Sequence, residues 1–500
     1  MPFAPRQAGG VRLLRERLGH GKVLLTGGTH PGYMNSHSPR RRAAPDKLSL
    51  LPSSPMPFSS HSRAWLNRTA FLGLLLAAIV ICLPPFRTAA GEDSGSGIVT
   101  PARPHIPDRT FNLLDFGAVG DGRTLNTGAF AKAIAVVEKA GGGKLVVPQG
   151  VFLTAPFALC AQLDLHLDAG AVIKAPETFE ALGLPHPSAF KTQAEANAAY
   201  QAPDPLIHGT KLHDVALTGP GTIDGSGQHW WAWSERAARA QARTQPGRVV
   251  YRRPHLIVID GCDRLLVADL TMVNSPMFHL VPKRVHDLTI ERVKVRAPFD
   301  APNTDAIDVG PGTNFWIHDC DIDTGDDDIV IKSGGTNILI ENNRIKHGHG
   351  ISIGSETTAG VHNLLVRHCT LEGTDNGVRI KSMRGAGGLV ENVRYTDLTM
   401  TNVANAIVVQ LDYVDNNRPD FKGDPTKVPV VRNICFDHLT IEGSRSAGLI
   451  HGLADSPIRD LRFSDITLTA RKDFDLRYAD EPVFERVTRT IKPGVGHAGE

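Results

Sequence analysis

From Leu256 onward the apolar residues fall at alternate positions in short runs, and the runs recur. They open near Leu256, His279, Ala306, Asp328, Gly350, Gly377, Ala406 and Gly448, mostly 22 to 29 residues apart. Second runs lie between them, such as Asn337–Ile345 and Asn363–Leu371. A period of two puts successive side chains on opposite faces of a strand. No unit of this size buries its apolar face alone, so the units must stack. The pattern predicts an all-β fold with a single domain, a right-handed parallel β-helix. A leucine-rich repeat would need a Leu/Asn consensus that is absent, and a propeller a longer period with antiparallel blades.

Upstream the period changes. Asn126–Gly143 follows a helical rhythm, with Thr127 as the expected cap and glycines at the end. A helix here would cover the open N-terminal end of the stack. Residues 176–205 and 226–253 break the strand pattern and are long for loops, which predicts that they line a cleft or close an end. Trp230, Trp231 and Trp233, in the second of these, fit a stacking platform for a ligand or a buried lid equally well. Asn337, Asn342 and Asn343 read as turn formers. No separate second domain is evident.

The formal charge of +2 averages unlike segments. Residues 1–55 carry nine basic side chains against Glu16 and Asp46, and 56–90 add Arg63, Arg68 and Arg87 with no acid. That leaves 42 basic and 50 acidic side chains in 91–500, a net of −8. An acidic body argues against a nucleic-acid or anionic-membrane surface. Ala70–Leu83 is an apolar run behind Arg63 and Arg68, with small residues at Thr88 and Ala90. This is the layout of an export signal over 56–90, headed by Met56 and cleaved after Ala90. It predicts a secreted or periplasmic chain, 91–500, with no membrane attachment after cleavage, working as a monomer. Residues 1–55 then read as a basic, non-globular segment upstream of the true start. Five cysteines remain, Cys160, Cys262, Cys320, Cys369 and Cys435, without a Cys-x-x-Cys pair; buried thiols are expected.

Chemistry enters with Asp326, Asp327 and Asp328, side by side before a strand. Asp305 lies 21 residues before Asp326, His349 lies 22 after Asp327, and Arg379 and Lys381 follow one longer coil on. In a solenoid of this period they fall at one angular position on neighbouring coils, whose strands are about 4.8 Å apart. Crowded carboxylates cannot all ionise cheaply, so at least one should hold a proton near about pH 5–6. One acid and one base are what glycosidic bond hydrolysis requires. Arg379 and Lys381, alternating around Ile380, suit an anionic sugar. Asp326 and Asp327 can both face the cleft only from a turn, which Gly325 permits.

The motifs Asn303-Thr-Asp305, Gly325-Asp-Asp327, Gly348-His349-Gly350 and Arg379-Ile-Lys381, in this order, resemble the four signatures of glycoside hydrolase family 28, the polygalacturonases. The stretches Phe111–Ile134, Gly141–Phe152, Leu217–Trp231 and Asn274–Leu280 resemble that family too. The resemblance implies a right-handed parallel β-helix, no metal or other cofactor, and polygalacturonate or pectin, an acidic plant polysaccharide, as partner. It implies Asp326 as general acid, Asp305 and Asp327 activating water, and His349 supporting the acid. Arg379, Lys381 and, less directly, Tyr413 would bind the substrate. Ala306 stands where glycine is common and Asp328 where cysteine is common, which leaves the pH optimum open. A rhamnogalacturonan or xylogalacturonan hydrolase of the same family is the nearest alternative. A calcium-dependent β-helix lyase and a non-catalytic glycan-binding β-helix are further ones.

Overall fold

The computed structural model describes residues 100–244, 247–415 and 421–492, all within one compact unit, Arg87–Glu500. The basic segment 1–55 and the export signal expected over 56–90 lie outside the described residues. The chain coils into a right-handed parallel β-helix. Each strand pairs in parallel with its counterpart one turn away, so Ile307 pairs with Ile329, Ile329 with Ile351 and Ile351 with Val378. A second ladder runs through Gly312–His318, Gly335–Glu341 and Val361–Arg367, and a third through Asp321–Thr324, Arg344–His347 and Thr370–Glu372. The inward positions form continuous files: Ile307, Ile329, Ile351 and Ile407 are all buried, as are Phe315, Ile338, Leu364 and Val393.

Asparagines hold one corner. Asn314, Asn337, Asn363, Asn392 and Asn433 all have φ between 53° and 60°, a region Asn tolerates better than most residues. Their amides bond from coil to coil, Asn337 donating to Asn314 and Asn363 to Asn337. Asn342 also turns with positive φ. Asn343 does not fit the turn-former expectation. It is buried, accepts from the Cys320 N–H at 2.9 Å and donates to the Ile317 carbonyl at 3.1 Å. It is an interior peptide clamp, which period alone does not distinguish from a turn.

The N-terminal helix spans Thr127–Lys139 and packs Phe130 on Phe157, ring centroids 4.4 Å apart. Its cap is Asn126 and not Thr127. The Thr127 hydroxyl instead accepts from the Ala155 N–H at 2.9 Å, tying the helix to the first coils. The five described cysteines are free thiols; Cys435 is half-buried and the others buried. The two interruptions, 176–205 and 226–253, fold against each other. Phe179, Ala196, Tyr200, Trp230, Val249 and Tyr251 make a small core of their own. Trp230 lies inside it, Trp233 packs against it, and the Trp231 ring donates to the Ser275 carbonyl at 3.0 Å. Trp230 and Trp233 are therefore packing for this lobe, and Trp231 bonds it to the chain at Ser275.

Candidate active site

Ile307, Ile329 and Ile351 are paired, so Asp305, Asp327 and His349, each two residues earlier, share one place on successive coils. Asp326 and Asp327 lie in the bend before the strand Ile329–Ile331. Gly325 opens that bend because a Cβ there would sit 2.4 Å from the Ala301 carbonyl. All seven residues expected in the site, Asp305, Asp326, Asp327, His349, Arg379, Lys381 and Tyr413, line one cavity of about 640 Å³. The lobe contributes its outer wall through Glu235, Arg236 and Arg239.

Each carboxylate has a different environment. Asp327 is buried; its Oδ2 lies 2.9 Å from Lys381 Nζ, and its Oδ1 accepts from Ser352 Oγ at 3.0 Å and from Arg379. Burial would raise it, but Lys381 and Arg379 outweigh burial and hold it well below the usual carboxylate range. Asp326 accepts from His349 Nδ1 at 3.0 Å, and Asn303 donates to its Oδ2 at 3.2 Å. Burial again opposes ionisation, and the histidine bond prevails, lowering Asp326. His349 is itself held between Asp326 and Asp375, 3.3 Å from Nε2. Burial works against its charge, yet the two carboxylates push it up to about 10. Asp305 differs. Burial raises it well above normal, Lys332 at 3.1 Å only partly offsets this, and its Oδ1 has no protein partner among the described residues. Asp305 is thus the site carboxyl whose charge burial opposes and Lys332 alone supports at close range among the described residues, while Asp326 and His349 form a pair.

Asp328 takes no part in the cavity and is not solvated. It is fully buried, with Oδ2 accepting from the Gly350 N–H at 2.8 Å and Oδ1 from Thr324 Oγ1 at 3.1 Å. Burial raises it well above normal, and its two bonds make it a brace between neighbouring coils. Asp326, Asp327 and His349 bring donor atoms within 4.8 Å of one another, a span that suits a metal ion. Both Asp327 oxygens are already held by Arg379 and Lys381, so a metal cation would meet two like charges.

Besides the charged residues of the wall, the close charged neighbours of the site that were not expected include Asp308, Lys332 and Asp375. Asp308 occupies the register position of Val330, Ser352 and Arg379 on later coils, and that spacing could have found it. Arg253 was also missed. It is buried, donates to the Pro276 and Pro302 carbonyls at 3.0 and 2.6 Å, and holds Asn303 Oδ1 at 2.7 Å.

The chain matches the glycosyl hydrolases family 28 over residues 148–482. It is a family 28 glycoside hydrolase. The hydrolase is 31% identical to a probable polygalacturonase of Vitis vinifera over 71% of its own length and 74% of the relative's. It is equally identical to an endo-polygalacturonase of Pectobacterium carotovorum subsp. carotovorum over 65% of this chain and 80% of that one. Among solved structures it is similar to a hyperthermoactive exopolygalacturonase from Thermotoga maritima, with 30% identity, a TM-score of 0.66, and 78% and 94% of the two chains covered. A polygalacturonase from Erwinia carotovora ssp. carotovora gives 28% identity and a TM-score of 0.63, covering 76% of the hydrolase and 98% of that chain.

Proposed function

We propose that the hydrolase cleaves α-1,4-galacturonosidic bonds of polygalacturonate or pectin with inversion at the anomeric carbon. The carrying observation is that consecutive coils bring a carboxyl–imidazole pair and ionised or ionisable carboxylates into one cavity. Asp326, supplied with a proton through His349, protonates the glycosidic oxygen as the bond to the anomeric carbon breaks. Water attacks that carbon from the opposite face and gives its proton to the Asp305–Asp327 side. The departing sugar leaves as an alcohol, and the new hemiacetal carries the water oxygen. Solvent then takes the water-derived proton from the Asp305–Asp327 side and supplies a new one through His349 to Asp326, which restores the starting state. Arg379 and Lys381, with Tyr413 beside Lys381 at 5.5 Å from ring centroid to ammonium, offer the galacturonate carboxylate two cations. Relatives named polygalacturonases support this choice of sugar.

The test is incubation with polygalacturonate, following reducing ends, the unsaturated-sugar absorbance and the first anomer by NMR. New reducing ends with the β-anomer first, and a fall of about 10²–10⁴-fold in kcat for Asp326→Asn at unchanged melting temperature, are expected. Calcium-dependent absorbance, the α-anomer first, or near-normal turnover by Asp326→Asn would each remove the proposal. We also infer export through 56–90; N-terminal sequencing of the mature chain should begin at Gly91, and a start at Met1 or Met56 contradicts it.

A further inference from the structure

Lys332 follows the strand Ile329–Ile331, and its ammonium reaches back one coil. There it meets two acids, Asp308 at 2.5 Å and Asp305 at 3.1 Å. The ring of Phe278 lies 4.0 Å beneath it. Asp308 and Asp305 are both buried, and one ammonium cannot neutralise two carboxylates. The shorter contact goes to Asp308, the acid that does not line the cavity. Asp305 keeps one oxygen toward Lys332 and leaves the other without a partner among the described residues.

We propose that Lys332 and Asp308 are positioning residues for the hydrolysis: they divide one positive charge between two acids and so decide when Asp305 is free to take a proton from the attacking water. This rests on the acid–base roles proposed above. The other charged groups around the cluster are accounted for. Asp305 also faces Asp326, Asp327 and Arg253, and His279 Nδ1 lies 3.1 Å from its carbonyl. Lys332 also faces Asp327, Lys381 and His255, and Asp308 faces Asp327 and Lys283. None of these others bonds to the Asp305 carboxylate among the described residues, so Lys332 is its principal handle. Burial raises both acids and Lys332 opposes that rise in each, which gives the two substitutions opposite signs. Lys332→Met removes the cation and should favour protonated Asp305. Asp308→Asn removes the competitor, gives Asp305 the whole ammonium and should favour its ionised form.

The experiment is the pH dependence of kcat on polygalacturonate for wild type, Lys332→Met, Lys332→Arg and Asp308→Asn, with melting temperatures measured in parallel. The acid limb of Lys332→Met should move up by about one pH unit or more, with kcat on that limb down about tenfold and KM little changed. The limb of Asp308→Asn should move down, and Lys332→Arg should restore the wild-type position. Limbs that do not move, or that move the same way in both variants, overturn the proposal. So does a rise in KM for Lys332→Met with an unmoved limb, which would make Lys332 a direct substrate contact. If Lys332→Met does not fold, the direction of the Asp308→Asn limb decides alone: down supports, unmoved or up refutes. The wild-type profile tests the roles of the preceding section, and only the displacement relative to it tests this one.

Discussion

Lys381→Met keeps most of the side-chain stem and removes only the charge. Lys381 stands 2.9 Å from Asp327 Oδ2, with 8% and 2% of the two side chains exposed. A hydrogen bond to a buried charged group contributes about 1.5–3 kcal/mol, and stripping a buried ion of its partner costs about 3–5 kcal/mol. Asp327 retains Arg379 and the Ser352 hydroxyl, which moves the loss toward the lower end. Burial, and Arg379 alongside, depress Lys381 itself, so part of the cost of holding the ammonium disappears with it. The net expectation is a destabilisation of about 1–3 kcal/mol at pH 7. Its pH dependence has a definite sign. The folded value of Asp327 lies below its unfolded one, so its contribution is full above about pH 3.9 and declines as pH falls further. The deficit of the variant should therefore be complete at pH 7 and shrink below about pH 4. Urea unfolding at pH 7 and pH 3.5 measures it, alongside kcat and KM on polygalacturonate. A variant within about 0.5 kcal/mol of wild type at pH 7, with only KM raised, would show that Lys381 serves the substrate and does not hold Asp327.

Asp328→Ala strips the Gly350 N–H and Thr324 hydroxyl of their acceptor and should cost about 2–4 kcal/mol in thermal unfolding while kcat on polygalacturonate stays near normal; a large loss of kcat in the folded variant would put Asp328 in the chemistry. Because Asp328 is raised in the folded state, wild type loses stability as pH climbs from the unfolded value toward the folded one, so Asp328→Asn should gain on wild type in the window that opens above about pH 4, read from urea midpoints. No gain across that window contradicts a buried, protonated carboxyl. The His349 ring, held up to about 10, should remain protonated past neutrality in an NMR titration. Its stabilising contribution is complete below about pH 6.5 and fades as pH rises through about 10. Titration near the ordinary histidine value would dissolve the Asp326–His349 pair.

The sequence determined the coil and, through its period, the site. Alternating apolar positions could be buried only by stacking, and a step of 22 residues from Ile307 to Ile329 to Ile351 carries Asp305, Asp327 and His349 into one file. Period is a one-dimensional quantity, so it assigns an angle around the axis and a coil along it. It does not say which way a polar side chain turns at that place. Asp328 and Asn343 turn inward to bind peptide groups, while Asp326 turns outward to the cavity. The charge states were still less visible, because they depend on through-space neighbours. Asp305 and Asp327 are the same residue type at the same register position, yet one is left with a single lysine it must share and the other with two cations of its own. That division follows from how far Lys332, Arg379 and Lys381 reach across adjacent coils, a distance that exists only once the chain has folded.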